Sequence, residues 1–309
     1  MVQTKEIPQE WFSPAAKDEQ SKEQVVRPAL SYWADAWRRL RKNYLALFSL
    51  VFLVLLSFFA ILVPIVSPHS VTEINLPNQN MAPSATHWFG TDELGRDVFT
   101  RTWYGARISL FVGIAAATID FLVGVIYGGI AGYKGGRTDT VMMRIVEILY
   151  GLPNLIVVIL LMVVMGPGMT TIIIALTVTG WIGMARIVRG QVLQLKNYEF
   201  VTASKSFGAG TMRIIRKNLL PNTMGPIIVQ MTLTVPSAIF AEAFLSFLGL
   251  GIAAPYASWG VMANDALSVI STGHWWRLFF PAVFISMTMF AFNTLGDGLQ
   301  DALDPKLRR

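Results

Sequence analysis

The sequence predicts an all-α, polytopic membrane protein with six transmembrane helices and both termini in the cytoplasm. Three observations carry this expectation. Of 309 residues, 53% are hydrophobic and only 14% are charged, against a charged share of about 25% in soluble domains. Six apolar runs approach the roughly 20 residues that a helix needs to cross a bilayer core. With the N-terminus inside, 21 of the 25 Lys and Arg residues fall in segments facing the cytoplasm, the bias that orients membrane helices. The net charge of +6 then reflects a membrane orientation and implies no nucleic-acid partner. The lack of cysteine excludes disulfide scaffolds, thiolate zinc sites and cysteine nucleophiles.

Residues 1–30 are polar, with Pro8, Pro14 and Pro28, and form a cytoplasmic tail without the apolar core of a signal peptide. Residues 31–66 combine an amphipathic helix with the first span. Trp33, Trp37, Leu40 and Tyr44 recur at helical spacing beside Arg38, Arg39, Arg41 and Lys42, a pattern suited to lipid headgroups. The first span, 45–66, carries no charge. Residues 67–107 form an extracytoplasmic loop. The remainder, 108–309, is a five-helix core with spans at 108–131, 141–165, 170–188, 223–248 and 278–295. Pro226 and Pro236 are expected to kink the fifth span. The chain ends on a short charged tail, 304–309.

One polar, basic stretch interrupts this core. Residues 198–222 lie between the fourth and fifth spans and carry Lys205, Arg213, Arg216 and Lys217. Residues 199–207 contain helix formers, and Gly208 is a C-terminal stop. Phe200, Ala203 and Phe207 share one helical face, with Glu199, Thr202 and Lys205 largely elsewhere. The stretch reads as a short amphipathic helix with an aromatic knob, lying on headgroups or inserted into a partner.

Few residues suggest chemistry. No Gly-Lys dipeptide occurs, so the chain has no P-loop. His69, His87 and His274 fall in the outer loops, and no metal-binding spacing links them; each reads as an interfacial polar residue, with no metal site expected. Ionisable groups within spans are candidates by default. Asp120 in the second span and Glu242 in the fifth could line a water-filled path and attract a cationic group; the alternative is a carboxylate hydrogen-bonded to Ser or Thr, or paired across a subunit interface. Arg144 and Glu147, one turn apart, read as a local ion pair. Gly124, Gly128 and Gly132 are spaced for close helix packing, static or sliding. A secondary transporter working alone would need an ion site in the spans, for which only Asp120 and Glu242 stand.

The spacing Thr202-Ala203-Ser204, three residues, Gly208, nine residues, Asn218, one residue, Leu220-Pro221 resembles the cytoplasmic signature loop of ABC-importer permeases. Ala203, Gly208, Leu220 and Pro221 match that pattern in register, whereas Thr202, Ser204 and Asn218 depart from it. Further runs at 89–110 (FGTDELGRDVFTRTWYGARISL), 132–139, 180–196, 244–260, 275–282 and 293–309 are similar to the oligopeptide/dipeptide/nickel permease family, and within it to C-type permease subunits. The resemblance implies a type I ABC-importer permease fold in the bacterial cytoplasmic membrane. It implies a heterodimer with a B-type permease, two ATPase subunits that use ATP and Mg, and an extracytoplasmic peptide-binding protein, with oligopeptides as cargo and dipeptides, nickel complexes or glutathione as alternatives. The chain itself would be no enzyme and bind no cofactor. Residues 199–208 would be the coupling helix docked on an ATPase, and 90–107 with 251–276 would face the binding protein.

Overall fold

The computed structural model describes residues 32–253 and 255–303. The tail at 1–30, Ser31 and the charged end at 304–309 lie outside the described residues. Among these residues the fold is helical, with a single isolated β-bridge, Thr91 to Asp97, outside the helices. The helices are α1 (Tyr32–Leu40), α2 (Tyr44–Val66), α3 (Val98–Lys134), α4 (Gly136–Tyr150), α5 (Asn154–Met165), α6 (Met169–Leu195), α7 (Glu199–Ser206), α8 (Thr211–Ile214), α9 (Leu220–Phe247), α10 (Trp259–Leu267) and α11 (Trp276–Leu303). A π-helical turn, Ile215–Leu219, joins α8 to α9.

Among the described residues, five helices are long and apolar enough to cross a membrane: α2, α3, α6, the continuous Thr211–Phe247 and α11. The third span departs from the sequence expectation of one run over 141–165. It is split into α4 and α5, bent by 80°. The cause is local: Leu152 precedes Pro153, which disfavours a helical backbone there, and Pro153 offers no N–H to continue the ladder. The loop at 67–107 is also shorter than expected. Its last ten residues belong to α3, because Asp97 caps that helix, its Oδ2 accepting from Thr100 N at 2.8 Å. The 37 residues of α3 extend about 55 Å, well past a hydrocarbon core of about 30 Å. Pro226 and Pro236 do not interrupt α9, which stays helical through both.

The amphipathic N-terminal segment is two helices rather than one face. Arg41, Lys42 and Asn43 separate α1 from α2, and Asn43 Oδ1 caps α2 by accepting from Ala46 N at 3.2 Å. Tyr44 therefore starts the first span instead of completing the Trp33, Trp37, Leu40 stripe. Leu40 is buried against α2 and α11, while Trp33 and Trp37 remain about half exposed.

Helices α3 and α6 make the most extensive contact in the molecule. Gly124, Gly128 and Gly132 face it. A methyl at 124 would lie 2.6 Å from Met184 Cβ, one at 128 would strike the Ala185 carbonyl oxygen, and one at 132 would lie 2.9 Å from Arg189 O. The glycine stripe thus packs within this chain. Core clusters flank it: Val112, Ile172 and Leu245 toward one end, Val125, Val188 and Ile227 toward the other. The span windows bury only 22–50% of their residues, and Val163 and Val164 of α5 are 78% and 82% exposed. Surfaces this apolar require lipid or another membrane chain.

Gly128→Ala is expected to lower the thermal unfolding midpoint in detergent, by overpacking worth about 1–3 kcal/mol. Gly190→Ala adds the same methyl to α6 with no atom within 4 Å and should leave the midpoint unchanged or raise it. Equal midpoints for both variants would refute the role given to the stripe.

Candidate functional site: the coupling helix

Helix α7 projects at the end of the bundle where α6 stops. Lys196 closes α6, its Nζ donating to Gly132 O at 3.2 Å, and Tyr198 opens α7 in an extended conformation. Gly208 ends the turn after α7 with φ +78°, a left-handed conformation that glycine takes without a Cβ penalty. The expected helix and its stop thus coincide with the observed ones.

The helix is seated on the side away from its aromatic knob. The residue seated in the core is Val201, fully buried among Val192, Ile214, Ile215 and Leu219. Glu199, Phe200, Thr202, Ala203, Lys205 and Gly208 are exposed, and Phe207 is 90% exposed. The face holding Phe200, Ala203 and Phe207 therefore points out of the chain, available to another body. Phe200 leans edge-on against Tyr198, with ring centroids 6.0 Å apart. Lys205 Nζ sits 5.4 Å from the centre of the Tyr133 ring, a cation–π contact back to the end of α3.

Two of the departures from the signature pattern meet each other. Asn218 Nδ2 donates to Ser204 Oγ at 2.8 Å. This bond joins α7 to the π-helical turn that leads into α9. Leu220 packs partly into the same core, and Pro221 follows the π-helical turn directly in the first turn of α9. Nearby, Arg189 clamps Asp139 through two bonds of 2.5 and 2.6 Å, tying α6 to α4 just above the coupling helix. Sequence spacing showed neither link, because the partners lie 14 and 50 positions apart.

The two span carboxylates sit differently. Glu242 is fully buried. Ser109, Ser246 and Ser258 donate to its carboxylate at 3.1, 2.8 and 2.5 Å, joining α3, α9 and the start of α10. In this structure the Ser/Thr-satisfied alternative describes Glu242. Asp120 is 5% exposed and packs against Gly180 of α6, with its buried Oδ1 lacking a hydrogen-bond partner among the described residues. Arg144 and Glu147 form the expected ion pair at 2.9 Å, both exposed.

At the opposite end, much of 90–107 and 251–276 turns inward. Arg96 and Arg101 converge on Asp92 at 2.7 and 3.3 Å. Arg277 bonds Asn80, Glu93 and the Asp265 carbonyl, each at 3.1 Å. Trp276 Nε1 donates to Thr91 O at 3.2 Å, and Phe89 stacks on Phe280 at 3.7 Å. Burial raises the Asp265 carboxyl above its ordinary pKa, with the Glu93 charge adding to the effect. These motif residues weld the two loops into one cap.

A membrane-embedded helical bundle that seats a short polar helix on its core while presenting an aromatic face outward has the form of a transport permease that works with another body. The chain belongs to the binding-protein-dependent transport system inner membrane component family, whose profile matches residues 124–309. Residues 31–83 match the N-terminal TM domain of oligopeptide transport permease C. The chain is 73% identical to the dipeptide transport system permease protein DppC of Bacillus subtilis, over 99% of this chain and 96% of that one. It is 58% identical to the oligopeptide transport system permease protein OppC of the same organism, over 98% and 99%. A chain of the MetNI methionine ABC transporter shares the fold with a TM-score of 0.54 at 20% identity, over 67% of this chain and 96% of that chain. The protein is thus a multi-pass permease of the bacterial cytoplasmic membrane.

Single Ser204→Ala and Asn218→Ala variants and their combination should show coupling of about 0.5–1.5 kcal/mol in a double-mutant cycle on thermal stability. Strict additivity would show that the 2.8 Å contact contributes nothing.

Proposed function

We propose that this chain forms half of the translocation path of an ATP-driven peptide importer and converts ATPase motion into movement of its helices through α7. The observation that carries this reading is the exposed Phe200–Phe207 face on a helix whose other side is locked into the core by Val201. A helix held this way transmits displacement, because α7 cannot move without α6 and α9. The basic residues Lys196, Lys205, Arg213, Arg216 and Lys217 gather at this end, which we assign to the cytoplasm on the bias of Lys and Arg. The partners are a second permease chain covering the apolar faces left by α5, two ATPases that bind ATP and Mg, and a peptide-binding protein at the cap.

Peptide cargo is supported by both Bacillus subtilis relatives, one a dipeptide and one an oligopeptide permease. The dipeptide reading stands level with the oligopeptide one, and competition of uptake by dipeptides against longer peptides separates them. In the pathway Asp120, whose buried Oδ1 has no hydrogen-bond partner among the described residues, is the better candidate for contact with a cationic group, since three serines already satisfy Glu242.

The double variant Phe200→Asp, Phe207→Asp should insert normally and abolish peptide uptake, since an aromatic anchor at the centre of an interface typically contributes about 2 kcal/mol or more. Uptake at the wild-type rate, with the variant present in the membrane at wild-type level, would sink the proposal.

A further inference from the structure

Three side chains with metal-binding atoms converge at the cap, from segments that no sequence motif connects. His69 follows α2, His87 lies in the cap loop, and Asp97 begins α3. One nitrogen or oxygen of each lies within 4.8 Å of the other two. The imidazole rings of His69 and His87 pack with centroids 4.6 Å apart, tilted by 34°. His87 Nδ1 lies 2.9 Å from Asp97 Oδ1.

The surroundings hold these groups in place. Asp97 Oδ2 accepts from Thr100 N and Thr100 Oγ1 at 2.8 and 2.7 Å, and Thr100 Oγ1 lies 2.7 Å from Ser67 Oγ. His69 Nε2 is 3.0 Å from Thr86 O, and its backbone N–H donates to Ser67 Oγ at 3.1 Å. Contacts of this outer kind orient ligands around a metal. His87 and Asp97 are buried at 8% and 3% exposure. His69 and Asp97 also line a cavity of about 740 Å³, walled by Phe59, Trp88, Phe99 and Trp103. The cluster therefore borders open space rather than lying sealed in the core.

We propose that His69, His87 and Asp97 form a binding site for a borderline divalent transition-metal ion, with Zn2+ the best match. Two imidazoles and one carboxylate suit Zn2+, which accepts nitrogen and oxygen ligands in tetrahedral geometry and leaves a fourth position to water. Mg2+ and Ca2+ favour all-oxygen sets that this cluster does not offer. A bound ion would staple the end of the first span, the cap loop and the start of α3 at one point. It would stabilise the cap in the way a cross-link between distant segments does.

The test uses the assembled transporter, purified through a tag that contains no histidine and stripped with chelator. Zn2+ is titrated by calorimetry, Co2+ is titrated with its visible d–d absorption as readout, and hydrogen exchange is followed across residues 70–85. The comparison is with His69→Ala, which leaves the His87–Asp97 bond in place, and with His87→Gln. Wild type should bind one more Zn2+ than either variant, or bind it about tenfold or more tightly. Wild type alone should show intense tetrahedral Co2+ bands, and Zn2+ should slow exchange in the loop of wild type alone. Equal binding, equal spectra and metal-independent exchange in wild type and His69→Ala would overturn the proposal and leave a hydrogen-bonded cluster without a metal. Wild-type protein that binds neither ion overturns it without reference to any variant.

Discussion

How closely α3 can approach α6 sets the geometry of the rest of the chain. Gly124, Gly128 and Gly132 bring the backbones together where any side chain would collide with Met184, Ala185 or Arg189. In a bilayer, apolar burial gives little net drive for helix association, so such shape matching carries much of the affinity between spans. The two ends of the molecule are built outward from this contact. One end of α3 roots the cap through Asp97 and Arg101, and its other end meets Lys196 and Lys205 through Gly132 and Tyr133. The position of α7 is therefore a consequence of how α6 lies on α3.

The cap and the end bearing α7 are held together by different means. The cap is held by charge: arginines from two distant segments are satisfied by carboxylates and carbonyls, and buried charges need such partners. The end bearing α7 is held by packing around Val201, by the Arg189–Asp139 and Lys196–Gly132 contacts and by a neutral hydrogen bond, Asn218 to Ser204. That bond also makes sense of two residues that look like separate departures from a signature pattern. The pair is internally consistent, a polar donor and acceptor placed together across the turn.

What could be read from the sequence followed the range of the interaction. The spans are legible because bilayer thickness imposes a length on each apolar run. The stop at Gly208 and the Arg144–Glu147 pair are legible because their causes lie within one helical turn. The break between α4 and α5 is not, since 141–165 is long and apolar enough to read as one span and only the short Gly151-Leu152-Pro153 step marks it. Glu242 shows the same limit: its acidity within a span is visible, but the partners that satisfy it include Ser109, 133 positions away. The Phe200 face was legible as an aromatic knob offered to headgroups or a partner, whereas the seating of Val201 in the core was not. Periodicity reports which residues lie together, and it leaves open whether that side meets its own core or a foreign one.

The exposure of Phe207 has a thermodynamic side. A phenyl ring left 90% in contact with water retains most of the roughly 2 kcal/mol that its burial would release. By itself the chain therefore displays an adhesive ring on this face. If another body covers this face, as proposed above, that contact both hides the ring and releases this free energy.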